Sequence, residues 1–343
     1  MRIVYLLEDT PMFGGVKVVL QQANLLVDCG HDVAVVTPGE PPSWFPLRAD
    51  LVRRPGLDPK DIPAADVTVA TYWTTIRRAV EGATGEVVHY CQGFEGIYTH
   101  NEDEHPAIEA AYRTPIPAMA VSPHLAELLA ERFGRPARVV PQPLSESWRP
   151  TWRFRPRREP RILVMSPYEI DWKGVPTALE AVAQLRRDGF PCRLIRLSQW
   201  PQCDAERALI EADEFHEHLP PSAVPDLLRS CDLLLAPSWE QEGFGLPVLE
   251  AMASGVPVVA SDISSFRAFA SEAAVLAPPR DAGAFADAAR SVLSSAGLWR
   301  RHRRAGLAVA QGYSASRSAW VAEETLQWVA SGKWRNDKIL QPR

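Results

Sequence analysis

Residues 232–262 read DLLLAPSWEQEGFGLPVLEAMASGVPVVASD, and their order decides the fold. DLLLAPS is an apolar run of strand length ending at Ser238, and VPVVASD is a second one. Between them GLPVLEAMASG reads as a short helix, with Pro247 in the first turn, where its missing N–H costs nothing. Strand, helix and strand joined this closely form a βαβ unit, which requires a parallel sheet and a right-handed crossover. Ligands of open parallel sheets bind at the carboxyl ends of strands, so the loop after Ser238 is where a site is expected.

That loop holds suitable chemistry. Gly243 and Gly245 flank Phe244, so the backbone can turn tightly and expose its amides. The amides over 245–248 are expected to face outward at the positive end of a helix dipole, an arrangement that binds phosphate. Glu242 and Glu250 stand on either side of this turn with seven residues between them. A carboxylate has two acceptor oxygens and suits a vicinal diol. Two diols separated by a diphosphate describe a nucleotide sugar. The plain alternative is that both glutamates only complement the helix dipole, for about 0.3–1 kcal/mol each.

The same alternation runs outward through the chain. RIVYLL (2–7), a helix over 16–28 and HDVAVVTP form a first βαβ unit. Further strands are predicted at 67–70, 86–90 and 118–121, and helices at 104–112 and 123–133. Residues 149–161, RPTWRFRPRREPR, break the pattern with arginine and proline and read as a linker. It is expected to be a solvated basic connector, with contact to phosphates or anionic lipid as the sharper alternative. After it come strands at RILVMS and CRLIRLS, helices over 173–187 and 204–214, and a short helix in SAVPDLLRSC. A last helix covers 315–329, and a frayed polar tail follows Gly332. The expected fold class is α/β, two doubly wound Rossmann-like domains facing across a cleft.

Composition limits the function classes. With 343 residues the chain can bury two cores, and a net charge of −5 argues against a nucleic-acid binder. Five scattered cysteines without CxxC spacing favour reduced thiols, hence a cytoplasmic protein without a zinc site. The apolar N-terminal run is cut off by Glu8 and Asp9 and reads as a strand rather than a signal peptide. No window approaches the roughly 20 apolar residues of a membrane span.

The stretch from Glu242 to Asp262 closely resembles the donor-site motif of retaining glycosyltransferases of family 4, which have the two-domain fold called GT-B. The resemblance extends over nearly the whole chain. It implies an N-terminal acceptor-side domain over 1–148, the linker at 149–160 and a donor domain over 161–315. A helix over 316–332 would cross back to the N-domain, leaving a tail over 333–343. It implies that Glu242 holds hydroxyls of the transferred sugar and Glu250 the ribose, with the amides of Gly243, Phe244, Gly245 and Leu246 along the sugar and diphosphate. Gly14 and Gly15 would bring amides to the diphosphate, and Lys173 would neutralise it. Residues 216–219 would lie near the base. Gln92 falls where the family often has a histidine near the sugar, with His89 more consistent with the core. Tyr72 and Trp73, after the strand VTVA, could stack on an acceptor sugar. QGFEG, with its glutamate after Gln92, is similar to bacterial rhamnosyltransferase-like members.

Ser166 and Pro167 occupy the places of the family's Gly-Arg, so one phosphate-binding cation is missing; either another cation replaces it, Arg196 on the next strand being a candidate, or the donor sits differently. The resemblance implies hexosyl transfer from a nucleoside diphosphate sugar by front-face attack, with no metal and no cofactor. The acceptor would be a glycan, a lipid-linked sugar or a small molecule. Arg53-Arg54, Arg77-Arg78 and the run RRHRR at 300–304 admit peripheral contact with the inner face of a membrane, solvated surface being the plain alternative. The rival functions are a non-catalytic nucleotide-sugar binder and, for want of extra acid/base groups, less so an epimerase.

Overall fold

The computed structural model describes residues 1–336. It divides into two compact units, residues 1–143 with 313–336, and residues 144–312. The first contains β1 (Arg2–Leu6), α1 (Gly14–Asp28), β2 (Asp32–Thr37), β3 (Asp50–Arg53), β4 (Val67–Ala70), α2 (Trp73–Gly82), β5 (Glu86–Cys91), α3 (His105–Tyr112), β6 (Ala118–Ala120), α4 (Pro123–Phe133) and β7 (Ala137–Val139). The second contains β8 (Arg161–Met165), α5 (Val175–Arg187), β9 (Arg193–Ser198), α6 (Asp204–Leu209), β10 (Glu214–Glu217), α7 (Val224–Ser230), β11 (Leu233–Ala236), α8 (Leu246–Ala253), β12 (Val258–Ser261), α9 (Ser264–Ala270), β13 (Val275–Ala277), α10 (Ala282–Ser294) and α11 (Ala296–Gln311). Helix α12 (Ala315–Ala330) returns to the first unit, where it packs on α1 and β5.

Each unit is a parallel sheet, ordered β3-β2-β1-β4-β5-β6-β7 in the first and β10-β9-β8-β11-β12-β13 in the second. In both, the order reverses beside the first strand, which opens a crevice at the carboxyl edge. The second sheet shows why its strands read as continuous apolar runs. Ile162 and Val164 of β8 face one core with α5 and α10, while Leu163 faces the other with α7 and α8. On β12, Val259 joins the first core and Val258 and Ala260 the second. Side chains alternate across a strand, so a sheet buried on both faces needs apolar residues at every position.

Several expectations are corrected. The helix over 204–214 ends at Leu209, and residues 214–217 form the edge strand β10 against β9. Its sequence EFHE is polar because an edge strand is covered on one side only, so its apolar run is lost. Segment 149–160 is mostly exposed, as expected, but it belongs to the second unit and is tied to it. Asp232, fully buried, accepts from Arg153 (2.6 Å), from Arg157 (2.8 Å) and from the Arg161 backbone N–H (2.9 Å). Of the expected tail, Lys333–Arg335 forms a 3-10 turn whose Trp334 and Arg335 donate to Glu86, and residues 337–343 lie outside the described residues. Among the described residues no helix is long and apolar enough to cross a membrane.

Candidate functional site

In the second unit the loops after β8 and β11 meet. The Trp239 N–H donates to the Trp172 carbonyl at 2.8 Å, tying them together. Gly174 makes the approach possible. Its φ is +64°, and a Cβ there would stand 2.1 Å from the Pro237 carbonyl oxygen. Only glycine fits such a contact in the left-handed region. The preceding residue, Lys173, is thereby aimed at the β11 loop. Its Nζ lies 2.8 Å from Glu242 Oε2 and 4.1 Å over the Trp172 ring. Ser238 Oγ donates to the same Glu242 oxygen at 3.0 Å. The Glu242 N–H closes the turn on the Trp239 carbonyl at 3.0 Å. Both charged side chains are largely covered, at 20% and 10% exposed, so the pair is shielded from bulk screening yet still reachable.

Helix α8 starts directly after this turn. Gly245 is its N-cap with φ +91°, and a Cβ there would stand 2.2 Å from the Phe266 ring. Phe244 turns inward and stacks on Phe269 at 4.5 Å, so its ring anchors the loop in the core. The Val248 N–H is taken by the Gly245 carbonyl at 3.0 Å and Pro247 has none. Of the amides expected to line a ligand over 245–248, those of Gly245 and Leu246 remain. Glu250 is the fifth residue of α8, past the first turn, and buried. Dipole complementarity falls off within the first turn and does not account for a carboxylate there. Residues 216–219 span the carboxyl end of β10, where His218 adopts φ +51° and donates its N–H to the Ser198 carbonyl.

The expectation for Arg196 is overturned. Its side chain is fully buried and fully engaged, with Nε on Glu206 (2.6 Å), one terminal nitrogen on the Val164 carbonyl (2.7 Å) and the other on the Ser166 carbonyl (2.9 Å). It braces the end of β8 and cannot also face a phosphate. Ser166 has φ +103°, a conformation that glycine adopts freely and serine does not. A different cation, not found from sequence, reaches the loop. Arg280, after β13, holds its guanidinium 3.7 Å over the Trp239 ring. No sequence signal separates it from the chain's other arginines.

In the first unit, Gly14 and Gly15 open α1, and Gln92 follows β5. The structure brings these together: Gln92 Nε2 donates to the Gly15 carbonyl at 3.2 Å. Tyr72 and Trp73 are half-buried at the start of α2, and their loop is fixed by Thr75, whose hydroxyl donates to the Tyr72 carbonyl at 2.7 Å. Thr74 donates to Glu8. His89 lies wholly in the core, edge-on to Tyr112, and burial together with Arg135 holds its pKa well below the ordinary imidazole value. Three residues after Gln92 stands Glu95, noted in the sequence without a role. It is buried, its carboxyl meets the Tyr112 hydroxyl, and burial pushes its pKa up to about 7. The Tyr112 hydroxyl also lies 2.7 Å from the Gly93 carbonyl. One hydroxyl proton cannot serve both acceptors, so the arrangement is complete when the Glu95 carboxyl carries the second proton.

Comparison with known proteins bears on these sites. A family model described as glycosyl transferases group 1 matches residues 159–295. Phosphatidyl-myo-inositol mannosyltransferase of Mycobacterium leprae is 29% identical over 163 residues, covering 46% of this chain and 44% of that protein. The chain thus spans about half the length of the curated relatives it matches. Solved structures are similar over nearly its full length. Sucrose-phosphate synthase from Thermosynechococcus elongatus superposes with a TM-score of 0.77 at 17% identity, covering 96% of this chain and 99% of that one. Anabaena HepE in complex with UDP-glucose gives 0.74 at 14% identity, covering 95% and 100%. At these identities the structures establish the fold, and the family match concerns the unit that carries Lys173, Glu242 and Glu250. The similarity to the group 1 glycosyl transferases thus lies in the second unit, and the two parallel-sheet units have the GT-B fold.

Proposed function

We propose that this protein transfers a hexosyl group from a nucleoside diphosphate sugar to an acceptor hydroxyl, with retention at the anomeric carbon. One observation carries the reading: Lys173 and Glu242 form a covered ion pair at the carboxyl ends of β8 and β11, beside the amides that open α8. A donor would re-partner both charges. Lys173 would turn to the diphosphate and Glu242 to sugar hydroxyls, while Glu250 would take the ribose. The complex of HepE with UDP-glucose, on the same fold, supports this class of donor. The mannosyltransferase and synthase names of the relatives support transfer to a hydroxylated acceptor.

In the proposed step the bond from the anomeric carbon to the diphosphate oxygen breaks, and a bond to the acceptor oxygen forms on the same face. The acceptor proton passes to the departing phosphate oxygen. Charge growing on the diphosphate is met by Lys173, once it has turned from Glu242, and by the α8 amides, which are already in place. Arg280 is the second cation in this reading. Gly14, Gly15 and Gln92 are assigned to the diphosphate and sugar, and Tyr72 and Trp73 to the acceptor. No step requires a metal.

The test is release of nucleoside diphosphate and glycosylated product from nucleotide sugars with a panel of acceptors. Glu242→Ala and Lys173→Ala are each expected to lower transfer by about 100-fold or more, the scale of losing a positioned electrostatic group. Transfer at the wild-type rate by Glu242→Ala would remove the donor-site assignment. A second reading, a nucleotide-sugar binder without turnover, is favoured by the engagement of Arg196, which leaves the Pro167 position without that candidate substitute. Tight donor binding with no product from any acceptor would select it.

A further inference from the structure

Trp152 is 90% exposed and Phe154 63%, both larger exposures than that of any other bulky apolar side chain among the described residues. They are held open by their neighbours in the chain. The Thr151 N–H donates to the Ser254 carbonyl at 2.9 Å, and Arg303 donates to the Thr151 carbonyl at 2.5 Å. Arg153 turns inward to buried Asp232, and Arg300 reaches the Phe154 carbonyl at 3.5 Å. Residues 151 and 153 are thus pinned to the second unit, while the side chains of 152 and 154 stand outward.

The charge around the two rings is segregated. Segment 149–158 and helix α11 together hold nine arginines and no acidic residue, in a chain whose net charge is −5. Three of these arginines are engaged internally, Arg153 and Arg157 by Asp232 and Arg303 by Thr151. Arg300, Arg301 and Arg304 instead line an open groove of about 460 Å³ on α11, and no described carboxylate pairs with them. Arg300 belongs to both features, which makes groove and aromatic pair one continuous surface.

We propose that this surface of the second unit, Trp152 and Phe154 with the α11 arginines, docks the protein on an anionic phospholipid bilayer. Aromatic rings settle at the headgroup level, and arginines beside them meet the negative surface potential. A nucleic acid fits less well. A stacking platform is a ring with one face supported by the protein, whereas a tryptophan exposed over 90% of its surface stands free. The proposal does not depend on the transferase reading, and binding is measured without substrate.

The experiment is flotation of the full chain with vesicles of phosphatidylcholine alone or mixed with phosphatidylglycerol. Binding is expected only to the anionic vesicles and is lost at about 0.5 M NaCl, where the screening length is a few ångströms. Arg300→Gln, Arg301→Gln and Arg304→Gln together are expected to lower the partition coefficient on the order of 100-fold, about five-fold for each charge. Trp152→Ala with Phe154→Ala is expected to lower it about ten-fold. All five side chains are exposed, so the melting temperature of each variant serves as the folding control. Absence of binding to anionic vesicles, or binding by folded variants equal to wild type, would overturn the proposal. So would displacement of the vesicles by a single-stranded RNA that binds more tightly.

Discussion

Ser166 and Glu95 each show what one side chain contributes. Ser166 sits at φ +103° with its backbone fixed from both sides, its N–H on Leu197 and its carbonyl on Arg196. A non-glycine residue held there costs about 1–3 kcal/mol. Ser166→Gly is therefore expected to raise stability by about 1 kcal/mol in urea titration, since glycine also gains freedom in the unfolded chain. Glu95 has a pKa raised from 4.5 to about 7 in the folded chain, by burial first. The folded state then binds the proton more tightly than the unfolded state does. Its contribution to stability is full below about pH 4.5, declines as pH rises and is gone above about 7. Relative to Glu95→Gln, wild type should lose on the order of 3 kcal/mol across that window. His89, with a lowered pKa, acts in the opposite sense and is common to both proteins, so the difference curve isolates Glu95. Glu242 and Glu250 were legible in the sequence because a glycine turn and a helix start stand between them, whereas Lys173 came from the family resemblance alone. Arg196 was not legible. An arginine ending a strand reads alike whether it faces a ligand or a carbonyl, and here Val164, Ser166 and Glu206 decide.

At the scale of elements, the opening of α8 is the most constrained joint. Gly245→Ala would place a methyl group 2.2 Å from the Phe266 ring in a left-handed conformation. Backbone strain and overpacking together are expected to cost about 2–6 kcal/mol, read as a lower urea midpoint. If the variant folds, it should also bind the donor nucleotide more weakly, because the Leu246 amide moves with the cap. This helix was legible from Pro247 and the flanking glycines. Strand β10 was not, because EFHE pairs only with β9 and is too short and polar to show a period. Nor was α2, which begins on Trp73 directly after β4, so its first residues were read as a strand end. The basic segment 149–160 was read from composition as a connector. Composition does not reveal buried Asp232, which turns two of its arginines inward.

For the whole molecule, two runs of alternating strands and helices were enough to anticipate two parallel sheets, since apolar strands at this spacing have few other ways to be covered on both faces. The grouping of 313–336 with the first unit is set by packing of α12 on α1 and β5, which no local pattern encodes. In the proposed function the second unit receives a nucleoside diphosphate sugar on Lys173, Glu242, Glu250 and the α8 amides. Thermal unfolding of the purified protein with UDP, GDP, ADP and dTDP in turn, and then their sugars, tests it most directly. Ligand at about 100 times its dissociation constant adds about 2.7 kcal/mol to the folded state, and for a unit of this size that is roughly 5–10 °C. Such a rise is expected with one base above the others, and a further rise with one of its sugars. An unchanged transition with every nucleotide and nucleotide sugar at about 1 mM, far above the dissociation constant a working donor site needs, would contradict it.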